Sequence, residues 1–329
     1  MGRRIVLVVA GWLCLLGPAP AAPPACGGTD LIARLRQDNR PAHDALTEKA
    51  ARIDNAEGLL WRIEKTGTRP SHLFGTAHVT DARVLAGLER LQPILDKTRV
   101  LAVEVVQSDL KAAGGRMLSR AIDASSRTLS SVEEAGDRQS LKGAIAELGL
   151  PEEAAEHIRP WFLAVMLSAP ACERARLAGG LPTVEARLEE MAATRRIRVQ
   201  GLETPEEQIE ALVSLPEAAG RRALVDVARL GAHREDMLET LIGAYIDGSV
   251  SRFLTAAQDG LLIGGVGLAG WTEAQDILVT RRNRLMATRA IPLIEAGGAL
   301  VAVGALHLPG PTGLVQLLRA AGYTVTRVP

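Results

Sequence analysis

Aromatic side chains are scarce in this sequence. Four Trp, two Tyr and three Phe make up 3% of 329 residues. That is too few for a platform that stacks single-stranded bases, and a poor supply for a sheet-rich sandwich. An excess of either charge is missing too: 38 Lys and Arg face 38 Asp and Glu, so no polybasic nucleic-acid surface is expected. Cysteine is nearly absent, with three residues, and a disulfide framework is not what holds the fold. What is abundant is apolar. Hydrophobic residues are 47% and charged ones 23%, which excludes a disordered chain. At this length a sizeable core can be buried without staples. Ala, Leu and Arg dominate, which favours helices.

Long hydrophobic runs are also lacking, with one short exception. Residues 1–21 read as a secretory signal peptide: Arg3 and Arg4, an apolar run from Ile5 to Leu16, a break at Gly17-Pro18, and small residues for cleavage near Ala21. The run is too short for a comfortable membrane span. The expected location is therefore exported, periplasmic or extracytoplasmic, with membrane contact only through an uncleaved signal or a lipid anchor. A lipid on Cys26 is disfavoured because Pro23-Pro24-Ala25 lacks the leucine such signals carry. Removal of the signal leaves 36 basic against 38 acidic residues, a net of −2. It also leaves Cys26 and Cys172, which in an oxidising compartment either bond to each other or remain two free thiols.

The rest reads as a single domain, residues 27–329, with a helical insertion at about 108–180. Helices are expected at Thr29 to Asp38, Pro41 to Ile53, Val84 to Leu95, through most of Leu110 to Ala192, from Thr204 to about Asp247, over Thr272 to Ile294 and over Thr312 to Ala321. Thr204-Pro205-Glu206-Glu207 carries a capping box with proline in the first turn. Strands are expected at Leu59 to Glu64, His72 to Gly75, Val100 to Val103, Ile197 to Leu202, Ala299 to Val303 and Tyr323 to Val328. Two of them, Val100-Leu101-Ala102-Val103 and Leu300-Val301-Ala302-Val303, are continuously apolar. Strands covered on both faces read this way, so the fold class is α/β with a mostly parallel sheet under helices.

Chemistry gathers at strand ends. Gly75-Thr76-Ala77-His78 and Gly304-Ala305-Leu306-His307 form a weak internal repeat: an apolar strand, a glycine that lets the backbone turn, and a histidine three residues on. Glu104 follows Val100 to Val103 directly, and Glu203 follows Ile197 to Leu202. Ligands of open α/β sheets bind beyond the carboxyl ends of the strands. If these four strands are parallel neighbours, His78, Glu104, Glu203 and His307 converge. Two imidazoles and one or two carboxylates suit a divalent transition metal, which polarises carbonyls or activates water. Other signatures are absent: no His-Glu-x-x-His, Gly-x-Ser-x-Gly, phosphate loop or Cys-x-x-Cys. Gly265-Val266-Gly267-Leu268-Ala269-Gly270 spells a dinucleotide fingerprint without the preceding strand or the later acid; it reads as a loop, a candidate lid.

Taken together, these segments resemble the TraB/PrgY/GumN family, which includes the Tiki proteases. The likeness rests on Gly75-Thr76-Ala77-His78 with Asp81, on Val103-Glu104, on Gly201-Leu202-Glu203-Thr204, on Arg282-Asn283, and on Ala302 to Gly310 with Gly313-Leu314 and Gly322 to Val325. It runs from about Cys26 to the C-terminus. The resemblance implies an erythromycin-esterase/ChaN-like fold and a metal-dependent hydrolase of metalloprotease type. It implies His78, His307 and Glu104 as ligands of Mn, Co or Zn, and Glu104 and Glu203 as catalytic carboxylates. Arg282 would stabilise an oxyanion, with Asn283 beside it, and Cys26 and Cys172 match a cysteine pair of bacterial members. Members often carry Asp where this chain has Glu185. A peptide or small envelope molecule is the expected substrate; the alternative is a peptide- or polysaccharide-binding envelope protein without catalysis.

Overall fold

The computed structural model describes residues 24–329; the signal-peptide expectation falls on residues outside that range. Six strands form one sheet: β1 (Leu60–Glu64), β2 (Ser71–Thr76), β3 (Val100–Val103), β4 (Arg198–Gly201), β5 (Ala299–Gly304) and β6 (Thr324–Val328). Their order is β4-β3-β5-β2-β1-β6. Neighbours among β4, β3, β5 and β2 pair in parallel, while β1 runs antiparallel to both β2 and β6. The sheet is thus mixed, with its parallel part in one continuous block. The apolar runs occupy its centre: every residue of β3 is buried, as are the first five of β5. No polar side chain of theirs has to be satisfied there, which is why neither strand shows the alternation of a half-exposed one.

Helices cover the sheet and share its core. Val184, Leu188 and Met191 of the helix Val184–Thr194 pack into it, as do Met286, Ala290 and Leu293 of Arg282–Glu295 and Leu314 and Val315 of Leu314–Ala320. Further helices between β3 and β4 build a second core around Leu141, Ile145, Leu163 and Leu167, which also takes in Leu224 from the helix Glu217–Leu230. The capping box at Thr204 forms as expected: Glu207 N–H donates to Thr204 Oγ1 at 3.2 Å, and Thr204 N–H to Glu207 Oε2 at 2.9 Å.

Two expected helices are interrupted, each for a local reason. Val84 to Leu95 breaks into Ala82–Ala86, a 3-10 turn Gly87–Leu91, and Gln92–Leu95. Pro93, with no N–H to give, sits in the first turn of the last piece, where none is needed. Thr272 to Ile294 runs as Ala269–Gln275, a π-helical turn Asp276–Arg281, then Arg282–Glu295. Such widened turns collect at functional sites, and this one leads directly into Arg282.

Cys26 and Cys172 are bonded, with their Cα atoms 5.4 Å apart. The bridge ties the N-terminal segment to the helix Ala171–Ala178 and takes the Cys26 sulfur that a lipid anchor would need. No described helix is long and apolar enough to cross a membrane.

Candidate functional site

The four strands whose ends carry the expected residues are adjacent and parallel, so their carboxyl ends open on one edge. His72 to Thr76 of β2 pair with Leu300 to Gly304 of β5, and Val103 of β3 pairs with Ala302 of β5 and Gly201 of β4. The β3–β4 ladder continues one step past the strands: Leu202 N–H donates to Val103 O and Glu203 N–H to Glu104 O, both at 2.7 Å. That extra rung sets Glu104 and Glu203 side by side. Space is tight at both histidine turns, which favours glycine. A Cβ on Gly75 would lie 3.0 Å from Ala305 and Leu308 atoms, and one on Gly304 would lie 3.0 Å from Glu104 Oε1.

His307 sits in the 3-10 turn Ala305–His307 that follows β5. Its Nδ1 lies 2.6 Å from Asn283 Oδ1, while Asn283 Nδ2 donates to Thr312 O at 2.9 Å. With the amide oriented by Thr312, the imidazole must donate from Nδ1, and Nε2 is left with its lone pair. That nitrogen faces Glu104 Oε1 at 3.6 Å. Glu104 also accepts from Gly304 N–H at 2.5 Å and from Arg282 at 2.8 Å. Burial pushes the His307 imidazole down to about 4, against the pull of the Glu104 carboxylate, so the ring is neutral at pH 7. Burial alone would raise the Glu104 carboxyl, but His307, Arg282, His78 and the Gly304 amide outweigh it and hold it at about 2.

Arg282 is locked between the carboxylates. Its Nε donates to both Glu203 oxygens at 2.9 and 3.1 Å, its Nη2 to Glu203 at 2.7 Å and Glu104 at 2.8 Å, and its Nη1 to Leu278 O in the π-turn. All three nitrogens are engaged. The role that the resemblance implies for Arg282 is oxyanion stabilisation; in the structure its guanidinium clamps the Glu104 and Glu203 carboxylates side by side. Asn283 likewise contacts His307 and fixes its tautomer. Gln208 Nε2 reaches both Glu104 and Glu203 at 3.4 Å.

His78 is held by a residue that the strand-end argument missed. Its Nδ1 lies 3.0 Å from Oε1 of Glu185, which comes from the helix Val184–Thr194 and is almost fully buried. Neither Glu185 oxygen makes a well-aligned hydrogen bond within the described residues, so the contact is an ion pair. The carboxylate draws the His78 imidazole up, to about 9. The ring projects into a cavity with 68% of its side-chain surface open, and water there screens the pair. The one sequence signal for Glu185 was its position at a family acid. Tyr245, whose Oη donates to Gly75 O at 2.7 Å, gave no such signal.

The cavity has a volume of about 540 Å³, and His78, Glu104, Arg282 and His307 all line it. Glu203 stands behind Arg282, and Asn283 behind His307. As a metal centre the arrangement is half assembled. Two ligands about 2.1 Å from one tetrahedral ion lie roughly 3.4 Å apart, close to the 3.6 Å between His307 Nε2 and Glu104 Oε1. Each histidine also has an acceptor at Nδ1, as metal-binding imidazoles do. No three His, Cys, Asp or Glu side chains among the described residues stand close enough to hold one ion.

A mixed α/β sheet thus carries a histidine–glutamate cluster beyond the ends of its parallel strands, the place where open α/β sheets bind their ligands. The sequence profile of the TraB/PrgY/gumN family matches residues 59–327, and the chain belongs to that family. No curated protein and no solved structure matches it.

Proposed function

We propose that the chain is an exported, metal-dependent hydrolase with peptidase-like activity, on a sheet of the erythromycin-esterase/ChaN kind. One observation carries the reading: two imidazoles, each anchored at Nδ1 by a buried acceptor, line the same cavity as a carboxylate held at about 2. His307 and Glu104 would hold the ion, Mn, Co or Zn; His78, paired with Glu185, would have to give up a proton and move closer to join them as a third donor. A metal bound there supplies a polarised carbonyl and a water of lowered pKa. Asn283 keeps the lone pair of His307 on Nε2. Arg282 keeps Glu104 charged and holds Glu203 beside it, and Glu185 orients His78 toward the substrate. Export is supported by the Cys26–Cys172 bond, a feature of oxidising compartments.

Metal analysis of purified protein and peptidase assays with added Mn²⁺, Co²⁺ or Zn²⁺ test this. His78→Ala and His307→Ala are each expected to lower activity about a hundredfold or more. Absence of divalent-ion binding, with both variants as active as the parent, would overturn it. A second reading, a peptide- or polysaccharide-binding envelope protein without turnover, is favoured by the way Arg282 occupies both carboxylates. Ligand binding without hydrolysis in the same assays supports that reading.

A further inference from the structure

Away from the strand ends the cavity changes character. Its walls there are Leu212, Val227, Leu238, Leu241, Phe253 and Leu278, contributed by five helices. The helix Arg234–Ile246 runs along it. Tyr245 stands at the polar end, bonded to Gly75 O, while Met237, Leu238 and Leu241 continue the lining toward Arg234. At 1.5 Å per residue, Met237 and Tyr245 are about 12 Å apart along the axis.

Three of the polar side chains in this part are already engaged. Ser168 donates to Val165 O, Glu173 accepts from Thr80 N–H and Oγ1, and Arg234 pairs with Glu147. Two shielded donors here, Trp271 Nε1 and Arg234 Nη1, lack partners among the described residues, and neither faces the cavity's solvent. An extended peptide would bring an N–H and a C=O with every residue, and each left unpaired is costly. A hydrocarbon chain brings none.

We propose that this cavity receives the alkyl chain of an acylated substrate, its carbonyl at the His78, Glu104 and His307 end. The inference deepens the hydrolase reading and rests on it for the bond that breaks. There the oxygen of water bonds to the acyl carbon, the acyl C–N bond breaks, and the amine leaves with a proton from that water. With about 1.25 Å per C–C bond along an extended chain, derived from a bond of about 1.5 Å, the 12 Å path takes about ten carbons. Arg234 closes the far end with a charge that a methyl group gains nothing by meeting.

Binding of N-methyl alkanamides from about four to about fourteen carbons, followed by tryptophan fluorescence and calorimetry, tests this without needing turnover. Affinity is expected to tighten about threefold to fourfold per methylene and to level off near about ten carbons. Leu241→Trp, and separately Leu212→Trp should the first not fold, are expected to weaken the ten-carbon amide about tenfold or more while leaving the four-carbon one unchanged. No saturable binding, no dependence on chain length, or an unchanged profile in a folded cavity-filling variant overturns the proposal. Tight, length-dependent binding with no hydrolysis upholds the cavity assignment and removes the hydrolase reading. Peptide hydrolysis without alkyl binding does the reverse.

Discussion

Asn283 Oδ1 and His307 Nδ1 meet at 2.6 Å, with Asn283 fully buried and its Nδ2 bonded to Thr312 O. Replacing Asn283 with Ala strands a buried N–H and a buried carbonyl, and is expected to cost about 1–3 kcal/mol. Asn283→Asp keeps the acceptor for His307 but loses the donor to Thr312. Urea unfolding should rank parent, Asp and Ala in that order at pH 7, since Asp loses one of the two bonds and Ala loses both. A larger loss in Asp than in Ala would show that a buried charge against the Thr312 carbonyl costs more than the imidazole bond contributes.

Removing Arg282 leaves two nearly buried carboxylates facing each other. Arg282→Met is expected to destabilise the protein by about 3–5 kcal/mol at pH 7, and by less at pH 4, where protonation relieves the repulsion. The double variant Arg282→Met with Glu203→Gln should recover part of the loss. Denaturation at both pH values checks this; an equal loss at each would show that the clamp acts through packing and not charge.

Three groups at the site add steps to the pH profile. The fold holds Glu104 at about 2 against an ordinary 4.5, so its contribution is complete above about pH 4.5 and is lost as pH falls toward 2. His307 is held at about 4 against 6.5, so the preference for its neutral form is complete above about 6.5 and is lost as pH falls toward 4. His78 is raised to about 9; its contribution is complete below about 6.5 and is lost as pH rises through 9, and it is small because water reaches the ring. Melting temperature should therefore decline in two overlapping acid steps and one shallow alkaline step. Ring-proton NMR separates the histidines directly: His307 titrates below the ordinary value and His78 above it.

Reduction of the Cys26–Cys172 bond opens a loop whose ends are 146 residues apart. A stability loss of about 2–5 kcal/mol is expected. Cys26→Ser should match the reduced parent, and thiol titration of the unreduced protein should find no reactive thiol at either position.

Much of this site was legible in the sequence because strand ends are. Continuous apolar runs locate β3 and β5, and Gly-x-x-His and the following glutamates mark where those runs stop. What periodicity could not give was strand order, which alone decides that four ends share an edge. Arg282 lies in a run of arginines that reads equally as a solvated face, and only the folded structure shows it turned onto Glu104 and Glu203. Glu185 lies mid-chain in an ordinary amphipathic helix, where nothing local distinguishes a buried acid from an exposed one. Its pairing with His78 is a long-range contact, invisible until the helix is docked.

The central position of β5 bears on how the chain assembles. That strand joins β3 on one side and β2 on the other, yet it comes from the last thirty or so residues. Without it, β4-β3 and β2-β1 are separate pairs with no common edge. A polypeptide emerging from its N-terminus must therefore wait, with both halves incomplete, until Ala299–Gly304 threads between them. Long-range closure of this kind slows folding. A chain cut short before Ala299 would lose the strand and His307 together.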